Sequence, residues 1–88
     1  MIYRRFTFSV TQKMIDAGVW QSTGSCPVAL GIKRRYPRSK IMVGLSYFRM
    51  NGKEWCLPER VIMFISSFDG GLKVKPFRIS FVARNFDA

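Results

Sequence analysis

The chain has 88 residues, of which 15 are Lys or Arg, five are Asp or Glu and none is His, giving a formal net charge of +10. This length predicts a single domain over residues 1–88, and the apolar share of 48% is enough to form one modest core without metals or disulfides. The lack of His excludes Ser-His and Cys-His dyads and the commonest metal ligand, so we expect no enzyme, no cofactor and no metal site.

The first predicted strand covers residues 5–10, where apolar and polar side chains alternate. Thr11 follows as the N-cap of a short helix through Ala17, and Gly18 is expected to end that helix in the left-handed conformation. Arg5 falls on the outward face of this strand. The start of the chain therefore predicts a half-buried strand followed by about two helical turns.

Residues 19–25, VWQSTGS, are predicted to be a loop from their Ser, Thr and Gly content. Trp20 within it either covers the core, which the size of its side chain favours, or stands out as a contact residue. Ser25 beside Pro27 is a suitable helix start, because Ser accepts a free amide and Pro has no amide to lose in the first turn. A second helix is therefore predicted from Cys26 to Arg35.

The densest basic run of the chain lies at the end of this helix and in the loop after it. Cations in a last helical turn offset the helix dipole and need no ligand, but those beyond the helix are outside that explanation. Tyr36 lies within the run, and basic residues beside an aromatic ring suit phosphate contact with base stacking. We interpret these cations, with outward Arg residues on the terminal strands, as a site for nucleic acid or an acidic partner. The predicted site residues are Lys33, Arg34, Arg35, Arg38, Lys40, Arg5 and Arg78.

A further strand is predicted from residue 40 to 45, and Asn51-Gly52 indicates a tight hairpin after it. The third helix is predicted to begin at Leu57-Pro58 and to end at residues 69–71, Asp-Gly-Gly, which lack the strand and the Lys of a phosphate loop. A final strand covers residues 77–82, with Arg78 outward. The pairs expected to face each other across the hairpin are Phe48 with Trp55 and Arg49 with Glu54.

The resulting order, β-α-α-β-β-α-β, indicates an α+β fold. We expect a single small domain with a mostly antiparallel sheet and helices packed on one face. A ferredoxin-like arrangement with the second helix added is one topology compatible with this order. Whether an open strand edge pairs two copies into a homodimer is not decided by the residues.

Cys26 and Cys56 form no CxxC pair, and the start of the chain lacks the apolar region of a secretory signal. We therefore expect a soluble protein in a reducing, cytoplasmic compartment, with no membrane partner. A thiol at a helix start can be a nucleophile, but without a His partner the expected role of Cys26 is that of a packed small side chain.

Three segments, DAGVWQSTGSCPVAL, LPERVIMFISSFDGG and VKPFRISF, resemble a group of small phage-encoded proteins of unassigned function. A CP(V/I)AL helix start, a Leu-Pro helix start, a Phe-Asp-x-Gly ending and a Pro-Phe strand recur there in this order. The likeness covers Asp16 to Val82, and Gly31 departs from the Ala expected at its position. The resemblance implies a phage origin, location in the host cytoplasm and action by binding host machinery, including defence systems such as CRISPR effectors.

Two functions follow as hypotheses. The first is an accessory protein that binds nucleic acid, or a host nucleoprotein complex, through the basic site. The alternative is an anti-defence inhibitor, for example an anti-CRISPR, that docks on a host protein or ribonucleoprotein through a few aromatic anchors. The candidate contact aromatics are Trp20, Tyr36, Tyr47 and Trp55.

Overall fold

The computed structural model describes residues 3–85. The expected α+β class and the order of helices and strands are confirmed. The structure has one strand more than the expected order, because residues 41–50 form two strands separated by a bend at residues 44–46. The elements are β1 (Tyr3–Val10), α1 (Gln12–Ala17), α2 (Pro27–Arg35), β2 (Ile41–Val43), β3 (Tyr47–Met50), β4 (Lys53–Cys56), α3 (Glu59–Asp69) and β5 (Phe77–Arg84).

The strands form two antiparallel sheets. β1 pairs with β5 along its whole length, from Tyr3 opposite Arg84 to Val10 opposite Phe77, and we call this pair the terminal ribbon. The other sheet has the order β2-β3-β4. A bridge between Trp55 and Asn85 joins the two sheets. A ferredoxin-like arrangement places the first strand between the last strand and a hairpin strand of the same sheet. Among the described residues β1 pairs with β5 alone and the hairpin lies in the other sheet, so that topology was wrong.

The hairpin has the register that its turn residues predict. Asn51 and Gly52 have φ angles of 53° and 84°, as a two-residue turn of type I′ requires at both positions. Phe48 is therefore opposite Trp55, and Arg49 is opposite Glu54. The turn fixes the register of β3 against β4, and the apolar side chains of Phe48, Met50 and Trp55 determine which face is buried.

The core lies between the inner faces of the sheets and the helices. Alternation in β1 turns Phe6, Phe8 and Val10 inward, where each is at most 2% exposed. Full burial of such a side chain contributes about 1.5–3 kcal/mol relative to leaving it in water. The outer face of the terminal ribbon, in contrast, is open. The helices contribute buried apolar residues to this core, namely Val28, Ala29 and Ile32 of α2 and Val61 and Ile65 of α3.

Two helix ends differ from the sequence predictions. The N-cap of α2 is Cys26, whose Sγ accepts a hydrogen bond from the Ala29 amide at 3.4 Å, whereas the predicted cap, Ser25, belongs to the preceding turn. Gly18 follows α1 but is not left-handed, since its φ is −67°. It is required for another reason: a Cβ there would lie 2.6 Å from the ring of Pro27.

The remaining helix boundaries agree with the sequence. The hydroxyl of Thr11 accepts a hydrogen bond from the Met14 amide at 3.3 Å and caps α1 as predicted. Pro58 precedes α3, which ends at Asp69. Gly71 after it has a φ of 78°, a conformation that favours glycine.

α2 crosses β1 in direct backbone contact at Gly31. A Cβ at this position would lie 2.5 Å from the carbonyl oxygen of Ser9 and 3.2 Å from a methyl carbon of Val10. The departure from the Ala expected at this position therefore has a structural cause. Only glycine lets the helix approach the strand this closely.

We expect Gly31→Ala to lower the free energy of unfolding by about 1–3 kcal/mol, because overpacking against a strand backbone outweighs a helix-propensity gain of about 1 kcal/mol. Urea denaturation followed by circular dichroism measures this. Gly24→Ala is the matched control, since the nearest atom to its added Cβ is the Lys33 Nζ at 3.6 Å. Equal or greater stability of Gly31→Ala would contradict the described contact.

Candidate functional site

The loop that follows α2 is fixed to the β3–β4 turn. The side-chain oxygen Oδ1 of Asn51 accepts a hydrogen bond from the backbone amide of Lys40 at 2.9 Å. The backbone amide of Asn51 donates to the Lys40 carbonyl at 3.0 Å. The Ser39 amide donates to the Tyr36 carbonyl at 3.1 Å, which closes the turn in between. The backbone that carries the basic residues beyond the helix is therefore held in one conformation.

Tyr36 anchors the basic residues to the core. Its hydroxyl accepts a hydrogen bond from the Thr7 amide at 3.2 Å, on the edge of β1 that faces away from β5. The guanidinium carbon of Arg35 lies 5.1 Å from the centre of the Tyr36 ring, and that of Arg4 lies 5.8 Å from it. Cation–π contacts of this kind stabilise a guanidinium in place. Tyr36 thus positions two cations beside the end of α2.

Arg4 is a site residue that the sequence reasoning missed. It shares the inward register of Phe6, but it lies near the strand end, where its guanidinium contacts Met50 Sδ at 3.7 Å and lies 4.9 Å from the centre of the Phe6 ring. An Arg at an inward position of an alternating strand was the available signal. We call the resulting group the Tyr36 cluster, and its members are Arg4, Arg34, Arg35, Tyr36, Arg38 and Lys40.

Lys33 does not belong to this cluster. It is half-buried, and its Nζ donates a hydrogen bond to the Gly24 carbonyl in the loop before α2. This contact ties the last turns of the helix to its own leading loop. The structure therefore gives Lys33 a contact within the chain, whereas Arg34, Arg35, Arg38 and Lys40 are exposed.

Arg5 and Arg78 lie on a different surface. Both are exposed on the outer face of the terminal ribbon, opposite the face on which Phe6 and Phe8 are buried. Arg5 donates to Ser80 Oγ at 3.5 Å, and Arg84 shares their face. The single basic patch predicted from the sequence is thus divided into the Tyr36 cluster and the outer face of the ribbon.

The tryptophans have the reverse of their expected environments. Trp55 is only 5% exposed, and its ring centre lies 5.1 Å from that of Phe6, so its assignment as a surface contact was wrong. Trp20 is 63% exposed, and the preference for core cover was wrong. Gln21, in the turn that holds Trp20 outward, has a φ of 55°. Its backbone amide donates a hydrogen bond to Asp69 Oδ1 at 2.9 Å. Tyr47 is 37% exposed.

Charge compensation is sparse around the Tyr36 cluster. Within residues 3–85, one ion pair is formed, between Arg49 and Glu54 of the hairpin. No carboxylate in that range lies within ion-pair distance of Arg34, Arg35, Arg38 or Lys40. Like charges gathered without counter-charges attract anions from solution. Within the described part of the chain, the cluster therefore presents positive charge that no carboxylate pairs.

Cys26 has the surroundings of a structural thiol. Burial raises its pKa, although amide hydrogen bonds from Ala29 and Val28 act in the opposite direction. A raised pKa leaves less thiolate, which is the nucleophilic form. Across the described residues there is neither a group of three potential metal-ligating side chains nor a helix long and apolar enough to span a membrane.

In comparisons with known proteins, no family model, no curated protein and no solved structure matches this chain.

The hydroxyl of Tyr36 can be tested directly. Tyr36→Phe keeps the ring but removes the acceptor for the Thr7 amide, so we expect the free energy of unfolding to fall by about 0.5–1.5 kcal/mol. Hydrogen exchange at the Thr7 amide should become faster. Ser80→Ala is the matched control: it removes an exposed side-chain hydrogen bond to Thr7, at 3.0 Å, on the outer face. Unchanged exchange at Thr7 in Tyr36→Phe would argue against this anchor.

The two thiols should differ in reactivity. At mildly alkaline pH we expect a disulfide reagent to modify half-buried Cys56 in the folded protein and to modify Cys26 only after urea unfolding, because burial and the raised pKa both suppress the Cys26 thiolate. The Cys56→Ser variant isolates Cys26, and Cys26→Ser is its counterpart. Rapid modification of folded Cys56→Ser would show that Cys26 is an accessible, reactive thiol.

Proposed function

We propose that the protein is a small non-catalytic accessory protein, of the phage type that its sequence resembles, which binds nucleic acid or a nucleic-acid-bound complex. The observation that carries this proposal is the Tyr36 cluster, in which two of the five cations, Arg4 and Arg35, lie over one ring, and the other three lie at the end of α2 and in the loop after it, with no carboxylate partner among residues 3–85. Phosphate oxygens are the ligands that such a group of guanidinium and ammonium groups suits.

The chemistry of the cluster supports backbone contact more than sequence reading. Contacts from Arg and Lys to phosphates fix position but carry no sequence information. The guanidinium groups of Arg4 and Arg35 already lie over the Tyr36 ring, so we expect the ring to contribute to binding by orienting these two groups. We therefore expect binding with little sequence preference and a strong dependence on salt, because each neutralised phosphate releases counterions.

A second function, docking on a host protein or ribonucleoprotein as an anti-defence inhibitor, is favoured by a separate observation. Trp20 and Leu72 are 63% and 65% exposed. Both line one shallow groove, which has a volume of about 260 Å³. Exposed Trp residues are frequent energetic centres of protein interfaces. This function predicts partner binding that is lost in Trp20→Ala and retained when the Tyr36 cluster is changed.

Charge reversal of the cluster tests the proposed function. We expect the combined change of Arg34, Arg35 and Arg38 to Glu to abolish binding of short DNA or RNA strands measured by fluorescence anisotropy at low salt. Replacing the same residues by Gln should lower the slope of log affinity against log salt by about two to three. These side chains are exposed, so the fold should be kept, as a urea denaturation curve can verify.

The matched control reverses three cations on the outer face of the terminal ribbon, Arg5, Arg78 and Arg84, and so changes the net charge by the same amount. This variant should bind at least about tenfold more tightly than the cluster variant, because phosphate contact depends on local and not on total charge. Equal losses of affinity in both variants would show that the nucleic acid is attracted by the total positive charge and not by the Tyr36 cluster. Retention of affinity in the cluster variant would contradict the proposal.

A further inference from the structure

A basic groove, separate from the Tyr36 cluster, lies between α3 and the segment that leads into β5. Its volume is about 370 Å³, and it is open to solvent along one side. We call it the α3 groove. It shares no residue with the Tyr36 cluster, and its lining includes Arg60, Met63, Phe64, Lys73, Lys75 and Phe77.

Among residues 3–85, the charges that line the α3 groove are all positive. Arg60, Lys73 and Lys75 line it, and no Asp or Glu of that range does. All three cations are exposed, and none forms an ion pair with a carboxylate in the described range 3–85. Cations confined to one groove lie within a Debye length of each other and repel, so an anionic occupant is favoured.

Aromatic rings in the α3 groove hold the side chain of Arg60 in place. The guanidinium carbon of Arg60 lies 5.6 Å from the centre of the Phe77 ring, over its face. The Phe77 ring is itself packed edge-on against Phe64, at a centroid distance of 4.8 Å. Met63 beside them is 62% exposed. A planar guanidinium supported on one side by a ring can stack an unpaired base on its other side.

From these contacts we propose that the α3 groove binds one unpaired nucleotide of a single-stranded nucleic acid, with the base stacked on Arg60 and the adjoining phosphates on Lys73 and Lys75. The proposal rests on the proposed function and names its ligand as single-stranded. In a duplex the faces of the bases are covered by their neighbours, so duplex can offer the groove only phosphates. A nucleotide combines a flat ring and a phosphate in one unit, which matches a groove that pairs a supported guanidinium with two lysines.

The test compares three fluorescein-labelled probes by anisotropy: a strand of twelve thymidines, an abasic strand of the same length and a twelve-base-pair duplex. We expect the thymidine strand to bind the unchanged protein about fivefold or more tightly than the abasic strand, since stacking of a single base on a side chain contributes at least this factor. Arg60→Lys keeps the charge but removes the planar group. In that variant the ratio between the two strands should fall towards one.

The contribution of Lys73 and Lys75 is measured by the salt dependence of binding. Changing Lys73 and Lys75 to Gln should lower the salt slope for the thymidine strand by about two. Lys13→Gln is the control, because Lys13 is an exposed cation of α1 that does not line the groove. It should leave the salt slope for the thymidine strand nearly unchanged. Urea denaturation of each variant ensures that differences in binding come from folded protein.

The outcomes separate this inference from the proposed function. If the Tyr36 cluster variant loses binding but Arg60→Lys leaves the strand ratio unchanged, the proposed function stands and the nucleotide site is overturned. Equal binding of thymidine and abasic strands by the unchanged protein also overturns it. Displacement of both strands by a polyglutamate peptide of equal charge overturns it as well, and would indicate that the groove binds an acidic protein segment. If no probe binds at low salt, both proposals fall together.

Discussion

The side chain of Phe6 packs at the junction of the two sheets and the second helix. Its ring centre lies 4.9 Å from that of Phe48, 5.1 Å from Trp55, 5.9 Å from Phe81 and 6.0 Å from Tyr36. Aromatic pairs of this geometry contribute about 0.5–1.5 kcal/mol each beyond the area that they bury. Because these rings come from β3, β4, β5 and the end of α2, the position of β1 determines where each of these elements lies.

Contacts at this junction determine the position of the Tyr36 cluster. Tyr36 touches Phe6 with its ring and the edge of β1 with its hydroxyl, so the end of α2 cannot shift without disturbing the core. On the other side, Gly31 brings the same helix into backbone contact with Ser9. The hydroxyl also occupies the outer edge of β1 at Thr7, where an open strand could otherwise pair with another chain. One helix thus covers a strand edge and presents cations at its end.

Local chemistry explains what could be predicted from the sequence. Alternation identified β1 and β5, Asn51-Gly52 fixed the hairpin register, and Thr11 capped α1, since each depends on residues close in the chain. The failures depend on distant contacts. Arg4 reaches Met50, 46 positions away, and the turn that exposes Trp20 is held by Asp69, 48 positions from Gln21. No spacing rule within a segment contains such information, so the membership of the site could be predicted only in part.

The distribution of cations gives more information than the net charge of +10. Lys33, within the densest basic run, is bound to the Gly24 carbonyl, whereas Arg4, outside that run, joins Tyr36. The same arrangement of a guanidinium over a ring recurs where Arg60 lies on Phe77. A guanidinium already held by a ring loses less conformational freedom on meeting a ligand than a free side chain does. The rings of this small core therefore have a second effect: they orient the charged groups that lie above them.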